Sequence, residues 1–168
     1  KGHALTDNVD YGTVASPSSY EQPLSVASME KTDTIESTYF TAGDRKIAFQ
    51  DTAEDSTAEN VDANSVKFRS LAGKSLDYVV VPNYGAAEDY EDLDVTGKIA
   101  LVSRGSIAYT DKKNNAKAKG AAGIIVYNNE PGMLYMLLDK FDLPSAFISQ
   151  ADGKYLVALA ENQRKLTV

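Results

Sequence analysis

The sequence contains no cysteine and no tryptophan among its 168 residues, and its one histidine is His3. The absence of cysteine excludes disulfides, thiolate metal sites and a cysteine nucleophile. With a single histidine, the His/Cys ligand sets of zinc sites are also missing. A serine nucleophile needs a base beside it, most often histidine. His3 lies near a terminus, where chains commonly fray, and it is not in a His-Gly-Thr context. No Gly-x-Ser-x-Gly or Gly-Thr-Ser motif occurs anywhere. The chain is therefore expected not to be catalytic by itself.

Long apolar runs are missing too. The longest, Tyr78–Pro82 and Gly123–Tyr127, are strand-sized, far short of the roughly 20 residues of a membrane helix. No signal-peptide pattern opens the sequence, because Lys1-Gly2-His3 leads into polar residues. The expectation is either an intracellular protein or an internal piece of something larger. Positive charge is scarce: 17 Lys and Arg face 24 Asp and Glu, a net charge of -7. Phosphate backbones and anionic lipid repel such a surface, so neither nucleic-acid binding nor membrane insertion is expected. Hydrophobic residues still make up 43%, enough to fold around a core.

Lys1–Ser19 reads as loop, and Leu24–Met29 as a short strand with no partner nearby in sequence. Glu30–Lys46 suggests one or two weak strands, and Asp51–Asn64 a polar loop. Ser65–Leu71 is a strand or an extended segment. Asp77–Val81 is a strand stopped by Pro82. Tyr84–Asp94 is an acidic loop. Lys98–Ser103 carries the continuous apolar run of a strand buried on both faces.

Ser106 is expected to cap a helix running to about Lys119, with Gly120 at its C′ position. Lysines crowd the later half of that helix, which suits its dipole. Gly123–Tyr127 is the next buried strand, so residues 98–127 form a βαβ unit. Met133–Leu138 is open between helix and strand. Pro144–Ser149 reads as a strand. Ser149 then caps a helix over Gln150–Glu161, with Asp152 in capping-box position, and Lys165–Val168 is a closing strand. The fold class is mixed α/β and strand-rich.

Few features suggest chemistry. Glu88, Asp89, Glu91, Asp92 and Asp94 could offer oxygens to calcium, but they lack the alternating spacing of an EF-hand loop, so a solvated loop is preferred. No cofactor is expected. Ser103-Arg104-Gly105-Ser106 runs from strand into helix and could take an anion or a peptide carboxylate. It has no Walker lysine, so a structural turn is preferred. The stretch Met133, Leu134, Tyr135, Met136, Leu137 has the composition of adaptable peptide surfaces, with core packing as the alternative.

Gly97-Lys98-Ile99, the turn Arg104-Gly105, the aromatic Tyr109, the lysine-bearing helix, Gly120-Ala121 and the apolar strand ending at Asn128 together resemble the protease-associated (PA) domain signature. Leu143–Ser149 followed by Asp152-Gly153 resembles the later part of that family. The match runs over roughly Asp77–Val168. Residues Gly12–Met29 resemble the subtilase segment that follows the oxyanion-hole asparagine. The order resembles the cell-envelope subtilases of Gram-positive bacteria, the lactocepin and C5a-peptidase type.

The resemblance implies a β-sandwich or open barrel flanked by helices. It divides the chain into 1–30, a remnant of a subtilase catalytic domain, and 31–168, the PA domain. It implies a non-catalytic insert in a secreted or cell-wall-anchored serine endopeptidase, which itself could hold calcium. The insert would control access to the cleft. Its partners would be the catalytic domain in cis and protein or peptide substrates, met through Arg104, Met133, Tyr135 and Met136. The alternative is a PA-type binding module of a receptor or sorting protein.

Overall fold

The computed structural model describes residues 38–52, 65–132, 136 and 138–168. All lie in the second of two units into which the chain divides, Glu36–Val168. The expected strand Leu24–Met29 and the proposed boundary at residue 30 lie outside the described residues.

Eight strands form one sheet. They are β1 (Tyr39–Ala42), β2 (Arg45–Ala48), β3 (Gln50–Asp51), β4 (Ser75–Val80), β5 (Ile99–Ser103), β6 (Gly123–Tyr127), β7 (Ser145–Ile148) and β8 (Lys165–Thr167). Helices α1 (Tyr109–Ala118) and α2 (Gln150–Ala158) flank it. The order across the sheet is β2-β1-β8-β4-β5-β6-β7-β3. Strands β4 to β7 are mutually parallel, while β1, β2, β8 and β3 join antiparallel. Only Phe49 separates β2 from β3, yet these two strands form opposite edges of the sheet. One residue can join them only if the sheet curls until its edges nearly meet. The result is a strand-rich open barrel, one of the two forms that the family resemblance implied.

The parallel strands are buried on both faces because side chains alternate along them. Ile99, Leu101, Ile125, Ala146 and Ile148 point into one core, with Phe40, Phe49, Phe68 and Leu156. Ala100, Val102, Ile124, Val126 and Phe147 point into the other, with Ala116 of α1, Tyr90 and Phe141. Continuous apolar runs at 99–102 and 123–127 are the sequence image of this double burial.

The βαβ unit forms as expected, with β5 and β6 paired in register from Ile99↔Gly123 to Ser103↔Tyr127. Three local readings change. Ser65–Leu71 contains no strand; Phe68–Leu71 is a 3-10 turn. Phe68 and Leu71 are three residues apart, so one such turn sends both inward. There Phe68 joins Phe40 and Phe49, with ring centroids 5.0–6.3 Å apart. Helix α1 begins at Tyr109, and its N-cap is Ala108, without a side-chain bond. Exposed Ser106 stands two residues earlier and caps nothing. Helix α2 stops at Ala158, where Leu159 turns extended, and Arg164 Nε donates to the Leu159 carbonyl.

Ser149 does cap α2: its Oγ accepts from the Asp152 amide at 3.2 Å and donates to the Asp152 carboxylate at 2.6 Å. Ser149→Ala is therefore expected to cost about 1 kcal/mol, and Ser106→Ala next to nothing. Urea unfolding of the two variants checks this. Equal costs would contradict the assignment of caps.

Candidate functional site

Parallel strands bring their carboxyl ends to one edge, and crevices outside such ends are where open α/β sheets commonly place ligands. Here the edge collects the segments after β4, β5, β6 and β7. From β5 comes Arg104, whose amide donates to the Tyr127 carbonyl at 2.8 Å. Its guanidinium is 31% exposed, reaches Asn128 Oδ1 at 3.2 Å and lies 3.9 Å from the Glu130 carboxylate. After β7 comes Gln150, whose Nε2 donates to the Asn129 carbonyl at 2.6 Å. A groove of about 350 Å³ runs from this edge along α2, past Ser103, Asn128, Lys154 and Val157.

The segment after β4 closes the edge on the other side. Its Tyr84 is 43% exposed, and the ring lies against the Cα of Gly105. A Cβ on Gly105 would stand 2.1 Å from that ring, so the neighbour of Arg104 must be glycine for Tyr84 to lie there. Beneath the ring is Lys112 of α1, fully buried, its Nζ 5.5 Å from the ring centroid and donating to the Tyr84 carbonyl. Burial pushes its ammonium down to about 8, partly offset by the charge of Asp89. Asn115 Nδ2 donates to the Gly85 carbonyl at 3.0 Å.

The acidic loop is more ordered than its composition suggests. Asp89 accepts from Asn83 Nδ2 at 2.7 Å and from the Ala86 amide at 2.8 Å. The Asn83 bond holds its carboxyl below the usual range. Asp94 accepts from Lys98 and from the Thr96 amide, which lower it as well. Among the described residues, no three His, Asp or Glu side chains gather as a metal ligand set.

Beyond the helix, Lys113 is 1% exposed and is met by Asp139 at 3.1 Å, Asp142 at 2.9 Å and the Lys140 carbonyl at 2.9 Å. Lys117 also bonds Asp142. These bonds lower Asp142 to about 2, Lys117 contributing most. Two lysines of α1, Lys112 and Lys113, are thus buried ties, holding the loops at Tyr84 and at Asp139–Asp142 onto the helix.

Of the residues expected to meet a partner, the structure places Arg104 on the edge. Met136 is 3% exposed and packs in the core with Leu138 and Phe141, so its side chain anchors the loop. Met133 and Tyr135 lie outside the described residues. Asn128, Glu130 and Tyr84 were not singled out from sequence. The available signal for Asn128 was its place, a polar residue directly ending a buried parallel strand. The edge offers hydrogen-bond donors and acceptors around one cation. That suits recognition of peptide carbonyls or carboxylates.

Comparison with known proteins places this arrangement. Residues 74–156 match the family model described as PA domain. The chain is 35% identical over 162 residues to a C5a peptidase of Streptococcus pyogenes, covering 96% of the chain and 13% of that protein. It is 41% identical over 100 residues to the minor extracellular protease Vpr of Bacillus subtilis, covering 59% of the chain and 12% of that protein. It thus spans about an eighth of these relatives' length. Among solved structures, a zinc aminopeptidase of Bacillus subtilis matches with a TM-score of 0.57 at 25% identity, over 77% of this chain and 28% of that one.

Proposed function

Through residues 74–156 this chain belongs to the PA domain family, and on that premise we propose that it is the non-catalytic insert of a secreted subtilisin-like serine endopeptidase. Its role is to flank the active-site cleft, restrict access to it and contact protein or peptide substrates. The observation that carries this reading is the 35% identity to a C5a peptidase over 96% of the chain. An alignment of that extent reaches well outside the PA match and into the subtilase-like segment Gly12–Met29. A secreted or cell-wall-anchored parent belongs to the same reading, and the extracellular protease of Bacillus subtilis among the relatives supports it. No described helix is long and apolar enough to cross a membrane.

The carboxyl edge is the proposed contact surface, with Arg104 as its cation. Two experiments test this. The flanking gene sequence should carry Asp and His motifs upstream and a Gly-Thr-Ser motif downstream; a gene without the latter would sink the reading. In the parent peptidase, Arg104→Ala is expected to raise KM for casein about fivefold, corresponding to about 1 kcal/mol, with kcat little changed. An unchanged kcat/KM would remove Arg104 from the contact surface.

A further inference from the structure

Asn128 is 1% exposed, and its backbone amide and both polar atoms of its side chain are engaged. Its backbone amide donates to the Ile148 carbonyl at 3.1 Å, tying the end of β6 to β7. Its Oδ1 accepts from Arg104 Nη1 at 3.2 Å and from the Glu130 amide at 3.4 Å. Its Nδ2 donates to the Gly132 carbonyl at 2.9 Å. The orientation of the amide is fixed by its partners: a guanidinium can only donate, and a carbonyl can only accept. One buried group therefore holds the side chain after β5 and both ends of the turn after β6.

Few other side chains can do this. Leucine has the same shape and neither function. Aspartate keeps the acceptor and loses the donor. We propose that Asn128 is a positioning residue for partner recognition: it fixes the Arg104 guanidinium and the 128–132 turn in one arrangement, so that a peptide carbonyl or carboxylate meets a donor already in place. This rests on the reading of the carboxyl edge as a contact surface. The physical basis is preorganisation. An arginine that is ordered before binding loses less side-chain freedom on binding. The exposed Glu130 carboxylate, 3.9 Å from the guanidinium, leaves room for a second acceptor on the same cation.

The test has two readouts. In the 168-residue chain, nitrogen-15 relaxation of the Arg104 Nε–H group reports its order, and hydrogen exchange reports the Glu130 amide. Asn128→Leu is expected to make Arg104 mobile and to speed exchange at Glu130 about tenfold. Asn128→Asp, which keeps both acceptor bonds, should leave both near wild type and guards against a variant that merely fails to fold. In the parent peptidase, Asn128→Leu should raise KM for casein by the same factor as Arg104→Ala, and the double variant should add nothing further. An Arg104 as ordered in Asn128→Leu as in wild type overturns the proposal. So does a KM that rises in Arg104→Ala but not in Asn128→Leu. If Arg104→Ala leaves KM unchanged while Asn128→Leu still frees the guanidinium, the contact-surface reading fails and the positioning stands.

Discussion

Gly153→Ala is expected to destabilise the protein by about 3 kcal/mol, although alanine is the better helix former by about 1 kcal/mol. Gly153 is buried in α2 where the helix crosses β6. A Cβ there would stand 2.3 Å from both Cβ and Cγ of Tyr127. The Tyr127 Cβ is fixed to the backbone, so no rotamer change of that side chain removes the clash. The strand that carries Tyr127 is bonded on both sides, to β5 and β7. Relief requires lifting the helix, which loosens buried Leu156 and the bond from the Tyr78 hydroxyl to its carbonyl at 2.7 Å. Urea unfolding measures the effect, with exposed Lys154→Ala as a control on the same helix that should stay within about 0.5 kcal/mol. A Gly153→Ala variant as stable as wild type would show that the helix can retreat at no cost.

Lys113→Ala should cost about 2–3 kcal/mol and change the response to acid. Breaking a fully buried ion pair commonly costs about 3–5 kcal/mol. The smaller figure applies because Asp139 and Asp142 are 51% and 39% exposed, so water can take over part of their solvation. The sign of the pH effect follows from the depressed carboxyls. Both Asp139 and Asp142 titrate below their unfolded value near 3.8, Asp142 at about 2. Their contribution is complete above pH 4 and is lost as pH falls toward 2. Wild type should therefore lose more stability than Lys113→Ala between pH 4 and pH 2. Parallel curves over that window would separate the lysine from the acid response. Lys113→Met, which keeps an apolar stem, should fall between the two in stability at pH 7.

The parts of the fold that could be read from sequence are those where one residue pattern has one physical meaning. Runs at 99–102 and 123–127 admit only strands buried on both sides, and Gly120 with a φ of 78° ends α1 where a left-handed residue was expected. Ser149 caps α2 as expected because its bonds to Asp152 are local, although the carboxylate accepts from the Ser149 hydroxyl rather than from its backbone amide as in a capping box. Ser106 misled because a serine before a helix is a cap only if its oxygen reaches the first turn, and here Ile107 and Ala108 intervene. The burial of the Lys112 and Lys113 ammonium groups was not legible, for a different reason. Their burial depends on acceptors at Tyr84, Asp139 and Asp142, which local sequence cannot place beside α1. The position of Arg104 was legible, in a turn of recognisable polarity at the end of β5. The role of Asn128 was not legible, since Arg104, its partner across the sheet, becomes a neighbour only when β5 and β6 align.

The strand pairing at the seam also bears on how such a unit travels between proteins. Among the described residues the first strand, β1, and the last, β8, are hydrogen-bonded neighbours, with Thr41 opposite Thr167. Paired strands lie about 4.8 Å apart. To a recipient polypeptide, a body attached through those two strands presents a gap no wider than a hairpin turn. Splicing it into a surface turn need not pry the recipient's flanks apart, and the entropy of closing that turn hardly changes, because the cassette's own folding holds the two junctions together.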